Sequence, residues 1–536
     1  MARRARPGGP DPTGLMSPSF AVDLPLTWRQ VGAIGDRGAS LSLSQAALGR
    51  IGAAHALVQA LVAHDVRAYG INTGVGALCD VLVTPAKQRA LSRNIIMSHA
   101  VGVGPALEAA AVRAIMAAAV NQFARGYSGV RAEVVTRLCE FLDRDLIAEV
   151  PASGSVGYLT HMAHIALVMI GSGHARLGAA RAGAAGDADG GEHAHGERMS
   201  GAQALAAAGL EPLVLEAKEG LSLVNGLPCA TGLAALALTR IARLLDWADL
   251  IGAMTFENLR GQMAAFDAEA LGLRASAATA LVGERLRGYL RGSAILAASA
   301  GRRTQDPLSL RAMPQVHGAV RDQFAHAAAT VDAELASVSD NPLVLGTPQA
   351  PRAMAEAHAV GAALGLAGDA LGIAVAELAA MSERRIDRLV NPLLSGLPAF
   401  LAADSGAGSG FMIAQYTAVS LTAENRRRAA PASLDGGITS GLQEDHLAHA
   451  TPAALKLLQI VENTEAILAI ELLAAAQGYD LADDAGAPAP ARASATDAAY
   501  RRVRQVVSLY RDDRPLAGDI DSIRRMLRTE DAGAPC

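Results

Sequence analysis

Apolar residues recur every three to four positions over four long stretches in the second half of the chain: CATGLAALALTRIARLLDWADLIGAM (Cys229–Met254), QFAHAAATVDAELASV (Gln323–Val338), AVGAALGLAGDALGIAVAELAAMSERRIDRLV (Ala359–Val390) and PAALKLLQIVENTEAILAIELLAAAQG (Pro452–Gly478). That period is the period of the α-helix. Several of these stretches are apolar almost all round, so they need burial on more than one side. One chain of this size struggles to cover them all. The pattern therefore predicts a mainly α protein with a long central helical bundle, its helices shared between subunits of an obligate homo-oligomer. From about Leu41 to Ile170 shorter helical patterns alternate with Gly-rich turns. INTGVGAL (Ile71–Leu78) is a loop, because its glycines punctuate any helix.

Composition sharpens this picture. Half of the 536 residues are hydrophobic but only 3% are aromatic; the apolar positions are mostly Ala, Leu and Val, of which Ala and Leu are strong helix formers. A net charge of −5 argues against a nucleic-acid or anionic-membrane surface. Asp369 and Glu377 interrupt the most apolar region, no stretch is read as a membrane span, and a soluble protein is expected. Cys79, Cys139, Cys229 and Cys536 are scattered without a CxxC pair, which fits free thiols in a reducing cytoplasm. The basic start, MARRARPGGPDPTG, has no apolar run behind it and is not a signal peptide. The chain is expected to divide into a disordered leader (1–22), an N-terminal domain carrying candidate site residues (23–215) with a flexible insertion at 177–198, a central long-helix bundle (216–482), and a linker with a C-terminal helical segment (483–536). His193 and His195 in the insertion are read as solvated loop residues.

Five stretches carry polar residues that a helical bundle does not need: YGINTGVG (Tyr69–Gly76), SHAVGVG (Ser98–Gly104), KEGLSLVNG (Lys218–Gly226), QDPLSLRAMPQ (Gln305–Gln315) and QEDHLAH (Gln443–His449). Each has an ordinary structural reading. Tyr69 packs on its ring, Asn225 caps a helix, Arg311 and Glu444 form an ion pair, and His99 sits in the core. His161 and His164, three apart on a helix, lack a third ligand, so no metal site is read. Taken together and in order, the five stretches favour a pocket.

These blocks, with SDNPLVL (Ser339–Leu345), MSERRI (Met381–Ile386), SGFMIAQ (Ser409–Gln415) and SGLQEDH (Ser440–His446), resemble the aromatic amino acid ammonia-lyases, most of all the histidine branch, from Leu41 to about Tyr510. The resemblance implies a helical homotetramer whose active sites draw loops from three subunits. It implies a carbon–nitrogen lyase that takes a β-proton and the amine from an aromatic or imidazole amino acid. Its electrophile, 4-methylideneimidazol-5-one, forms from Ala-Ser-Gly, and the covalent adduct divides one hard step into easier ones. By motif, Tyr69 resembles the general base and Asn225 the amide that orients the electrophile. Arg311 resembles the carboxylate clamp, with Gln305 in the same pocket. Glu444 resembles the carboxylate near the substrate's amine or ring, and Ser98-His99 the pair that meets an imidazole.

The match breaks close to the chemistry. In the family the triad follows Gly-Ser-Val-Gly and precedes Asp-Leu. Here Gly154-Ser155-Val156-Gly157 is followed at once by Tyr158-Leu159, and Ala152-Ser153-Gly154 lies upstream. Counting back from His164 puts Ser155-Val156-Gly157 at the triad, and valine cannot dehydrate to a methylidene. Leu308 stands where the family has a tyrosine and makes the substrate pocket more apolar. Ala357-His358-Ala359-Val360 replaces an Asn-Phe-His block. Two outcomes stay open. Either Ala152-Ser153-Gly154 cyclises out of register and the chain is an ammonia-lyase, or the ring is absent. Without the ring the same fold catalyses another elimination or isomerisation of a small carboxylate, or serves as a silent binding subunit.

Overall fold

The computed structural model describes residues 18–178, 196–483 and 490–535. It is mainly helical, as the periodicity predicts, with short two- and three-stranded sheets. The four long stretches become the helices Pro228–Asn258, Met313–Ala336, Ala362–Val390 and Ala450–Asp483. The chain forms two compact units, one of Met1–Leu236, Val331–Leu364 and Ser433–Pro452, the other of Ala237–Thr330, Gly365–Ala432 and Ala453–Cys536.

In the first unit the centre is the helix Ala109–Ala124, buried on nearly every side. Small residues let neighbours approach it closely. A Cβ on Gly35 would meet the Ala110 carbonyl oxygen at 2.9 Å, and one on Gly232 the Ala114 carbonyl oxygen at 2.6 Å. The helix Trp28–Arg37 starts with a capping box in which Thr27 Oγ1 accepts from Gln30 N (3.4 Å) and Gln30 Oε1 accepts from Thr27 N (2.9 Å). The expectation of a disordered leader over residues 1–22 is corrected at its end. Ser19–Val22 is a strand paired in parallel with Ser40–Leu43, because ladder hydrogen bonds order even a short segment laid beside a strand; residues 1–17 lie outside the described residues. The insertion at 177–198 is ordered at its ends. Leu177 closes the strand His174–Leu177, and Arg198 pairs with Glu149 at 2.6 Å; residues 179–195, with His193 and His195, lie outside the described residues.

Three helical spans, Gln45–Ala63, Glu219–Asn258 and Ala362–Val390, are long and apolar enough to cross a membrane by length and composition. This corrects the expectation that no such stretch exists. The apolar window within Glu219–Asn258 is buried throughout, which accounts for its composition without lipid.

One buried ion pair fixes the segment that leads to Asn225. Lys218, fully buried in the left-handed conformation, donates to Asp340 Oδ2 (2.9 Å) and Ser222 Oγ (2.7 Å), and Ser222 Oγ donates to the same carboxylate oxygen at 2.9 Å. Removing one partner strands the other charge. Lys218→Met is expected to cost about 3–5 kcal/mol in urea unfolding, and Lys218→Met with Asp340→Leu to recover most of it.

The second unit is centred on Glu471, which accepts from Arg385 Nε (2.6 Å), Arg385 Nη2 (2.9 Å), Ser382 Oγ (2.5 Å) and Thr255 Oγ1 (2.7 Å). All four residues are fully buried. Of the segment read as a linker and C-terminal helix (483–536), residues 484–489 lie outside the described residues. Helix continues to Asp483 and resumes at Ser494, where Glu257 accepts from Ala493 N and Thr496 Oγ1 and holds the helix start.

Candidate active site

Tyr69 lies on a loop that follows the helix Gln45–Ala63 and supplies its own hydrogen bonds. Asn72 Oδ1 accepts from Ala68 N (2.8 Å), Asn72 Nδ2 donates to the Val66 carbonyl (2.9 Å), and Thr73 Oγ1 accepts from Gly70 N (3.0 Å). This accounts for the Asn-Thr-Gly sequence. Gly70 has φ +61°, and a Cβ there would sit 2.2 Å from Leu221 Cδ2, so only glycine fits. The loop aims the Tyr69 phenol back at Gly76, whose N–H donates to it at 3.2 Å. Burial raises the Tyr69 pKa above the ordinary tyrosine value. The Gly76 hydrogen bond opposes the rise, and the nearby Glu444 charge adds to it.

Glu444 is held from the opposite loop. Thr439 N donates to the Glu444 carbonyl (2.9 Å) and Thr439 Oγ1 to its carboxylate (3.0 Å). This loop lies on the Tyr69 loop, where a Cβ on Gly76 would come within 3.4 Å of Ser440 Cβ. His99 ends the helix Pro85–His99 with Nδ1 3.1 Å from Ser98 Oγ. Burial lowers its pKa, while the Ile95 carbonyl and the Glu444 charge oppose the fall. The imidazole is therefore neutral at pH 7 and has one donor and one acceptor to offer.

Tyr158, absent from the family-derived set, joins this group. Its phenol lies close enough to Glu444 and Tyr69 to feel both, and burial followed by the Glu444 charge raises its pKa well above the usual range. The backbone that presents it is strained. Leu159 has φ 77° and ψ −69°, and Thr160 N donates to the Tyr158 carbonyl at 3.1 Å; this is the rare γ-turn with positive φ. Such a conformation costs about 1–3 kcal/mol and persists only where neighbours enforce it. Here they do. Leu159 N donates to the Val224 carbonyl (3.0 Å), His449 N to the Val156 carbonyl (3.0 Å), Thr451 Oγ1 to the Gly157 carbonyl (2.7 Å), and Ser155 Oγ to the Tyr158 carbonyl (3.0 Å). The sequence signal was a tyrosine directly after Gly-Ser-Val-Gly.

Ala152-Ser153-Gly154 lies elsewhere along the same loop. Pro151–Ser153 is a strand antiparallel to Val103–Ala106, with Ser153 opposite Val103. The Ala152 carbonyl oxygen lies 3.1 Å from His161 Nε2, and Gly154 packs on Gly102 and Thr160. His161 and His164 thus serve the backbone, His164 Nε2 accepting from Gly102 N at 3.1 Å. Asn225 follows the last turn of the helix Glu219–Val224, and its Nδ2 donates to the Asn341 carbonyl at 2.6 Å.

The remaining sequence-derived residues are in the second unit. The Gln305 side-chain oxygen accepts from Arg311 Nη1 and Nε, each at 3.0 Å, and Leu308, at the start of the short helix Leu308–Arg311, is 63% exposed. In the first unit His358, from the substituted Ala357–Val360 stretch, pairs with Glu356 at 2.8 Å. Among the described residues no cluster of His, Cys, Asp and Glu could hold a metal.

A model of the aromatic amino acid lyase family matches residues 26–505, and the chain belongs to that family. It is 42% identical to the histidine ammonia-lyase of Anaeromyxobacter dehalogenans over 509 residues, covering 94% of this chain and 97% of that one. It is 41% identical to the enzyme of the same name from Symbiobacterium thermophilum over 506 residues, covering 94% and 95%. Histidine ammonia-lyase from Trypanosoma cruzi superposes with a TM-score of 0.84 at 33% identity, covering 95% of this chain and 93% of the other. The chain is histidine ammonia-lyase-like, an enzyme of the carbon–nitrogen lyase type.

Proposed function

We propose that the chain eliminates the amine from an α-amino acid bearing an imidazole or a similar ring, giving an α,β-unsaturated carboxylate. The observation that carries this reading is the convergence of Tyr69, His99, Tyr158 and Glu444, three ionisable or hydrogen-bonding rings around one carboxylate. Tyr69 takes the β-proton. Neutral His99, steadied by Ser98, meets the substrate ring, and Glu444 faces the cationic nitrogen. Asn225 adds a polar contact. In the second unit Arg311, with Gln305 on its guanidinium, is suited to hold a carboxylate, and Leu308 is an exposed apolar residue beside it.

The active form is proposed to be a homotetramer whose copies complete one another's sites. Leu366 and Ile373, two turns apart on the helix Ala362–Val390, are 61% and 50% exposed in one copy, and a neighbouring copy would cover that stripe. Cys79, Cys139 and Cys229 are free, which supports a reducing, cytoplasmic setting. The test is amine release, followed with the ultraviolet absorbance of the product, across imidazole and aromatic α-amino acids and their N-methylated forms. Turnover of an imidazole compound is expected; silence across the whole panel rules the reading out.

A further inference from the structure

We infer that this site works without a prosthetic ring, and that its substrate is an α-amino acid whose nitrogen is already a quaternary ammonium, seated between Tyr158, Tyr69 and Glu444. The inference rests on the lyase reading above and narrows its substrate.

The residues present do not fit the ring. Closing it requires the Gly154 nitrogen to bond the Ala152 carbonyl carbon, with the serine between them folded tightly. Ser153 instead ends a paired strand, and an extended residue holds its two flanking peptide groups apart. The Ala152 carbonyl is engaged by His161. Beside the Tyr69 and Glu444 side chains the loop offers Tyr158, and the backbone next to the Asn225 turn is Leu159, whose N–H meets Val224. Neither residue carries a β-hydroxyl that could be lost to leave a methylidene. Three residues cannot be drawn from the strand into that place without breaking the bonds at Val156, Gly157, Tyr158 and Leu159.

The consequence is chemical. An electrophile in such a site serves to turn a poor leaving group, a primary amine, into a better one. With no electrophile, the nitrogen must arrive ready to leave. A trialkylammonium does so: the base takes the β-proton, the electrons of that C–H bond form the Cα=Cβ bond, and the Cα–N pair departs with a neutral tertiary amine. The betaine becomes an unsaturated carboxylate, an amine and one proton, and no other reactant is needed.

The groups brought together suit that cation. Two tyrosine faces and a carboxylate recognise a quaternary ammonium through cation–π and Coulomb attraction, and they require no N–H from it. Glu444 is already oriented by Thr439. The cation would also favour the Tyr69 phenolate, because an opposite charge nearby stabilises the charged form. The substrate thereby helps to activate its own base.

The test uses the purified full chain. Its intact mass is measured first, and it is then offered histidine and the Nα-trimethyl derivative of histidine, with ammonia and trimethylamine assayed separately. Unmodified mass and trimethylamine release at least about 100-fold faster than ammonia release are expected, the difference reflecting the leaving group. Tyr158→Leu is expected to raise KM for the betaine by about tenfold or more, the size of a desolvated cation–π contact, while Tyr158→Phe, which keeps the ring face, moves it far less. A mass lower by two waters overturns the inference. So does ammonia release from histidine at a rate equal to or above that of trimethylamine, although the lyase reading then stands. Unmodified mass with no amine from either compound or from the wider panel defeats the lyase reading and the inference with it.

Discussion

Tyr69→Phe is expected to lower kcat/KM by about 10²–10⁴-fold, the usual contribution of a positioned general base. KM should change little, because the ring face stays while the oxygen that takes the proton is lost. The loop gives this residue one orientation, fixed by Asn72, Thr73 and the Gly76 N–H. The pH profile supplies a second readout. A base acts when deprotonated, and the Tyr69 pKa lies above the ordinary tyrosine value. The rising limb of kcat/KM should therefore sit on the alkaline side of that value. The limb of kcat should lie lower, since a bound cation favours the phenolate. A Tyr69→Phe enzyme that retains most of its rate, or two limbs at the same pH in the parent, would remove Tyr69 from this role.

The largest loss of stability is expected from Glu471→Ala. The carboxylate takes four hydrogen bonds from three buried residues. Deleting it leaves the Arg385 guanidinium, which is wholly shielded from water, with no counter-charge. Breaking such a pair from one side costs about 3–5 kcal/mol, and the stranded Ser382 and Thr255 hydroxyls add about 1–3 kcal/mol each where they find no other acceptor. Chemical denaturation of Glu471→Ala should show a midpoint shifted by that amount, beyond the cost of Lys218→Met. Arg385→Met combined with Glu471→Leu should regain much of it, because apolar residues of similar volume leave no buried charge. A Glu471→Ala protein as stable as the parent would mean that water reaches Arg385.

The helical frame was legible because a 3.6-residue period repeated over 25 or more residues is a strong signal, and Pro228–Asn258 and Ala450–Asp483 follow it. The short strands were not, since Ser19–Val22 and Pro151–Ser153 are too brief to show alternation. The Asn-Thr-Gly loop was readable from its punctuation. Glu444 could be named from its block, but not that Thr439 would hold it from five residues away. Tyr158 was visible as a departure from the expected sequence, yet its direction depends on the left-handed Leu159, and nothing in a leucine announces a positive φ. The membrane-like composition of Glu219–Asn258 could be resolved only by seeing what surrounds it.

The bonds around Gly157 decide how firmly this loop is held. A strained torsion persists only where its surroundings over-determine it. Here the carbonyls of Val156, Gly157 and Tyr158 each keep a donor, and the one unfavourable torsion is enforced rather than released. The position of Tyr158 is thus set by its neighbours and not by its own torsional preference.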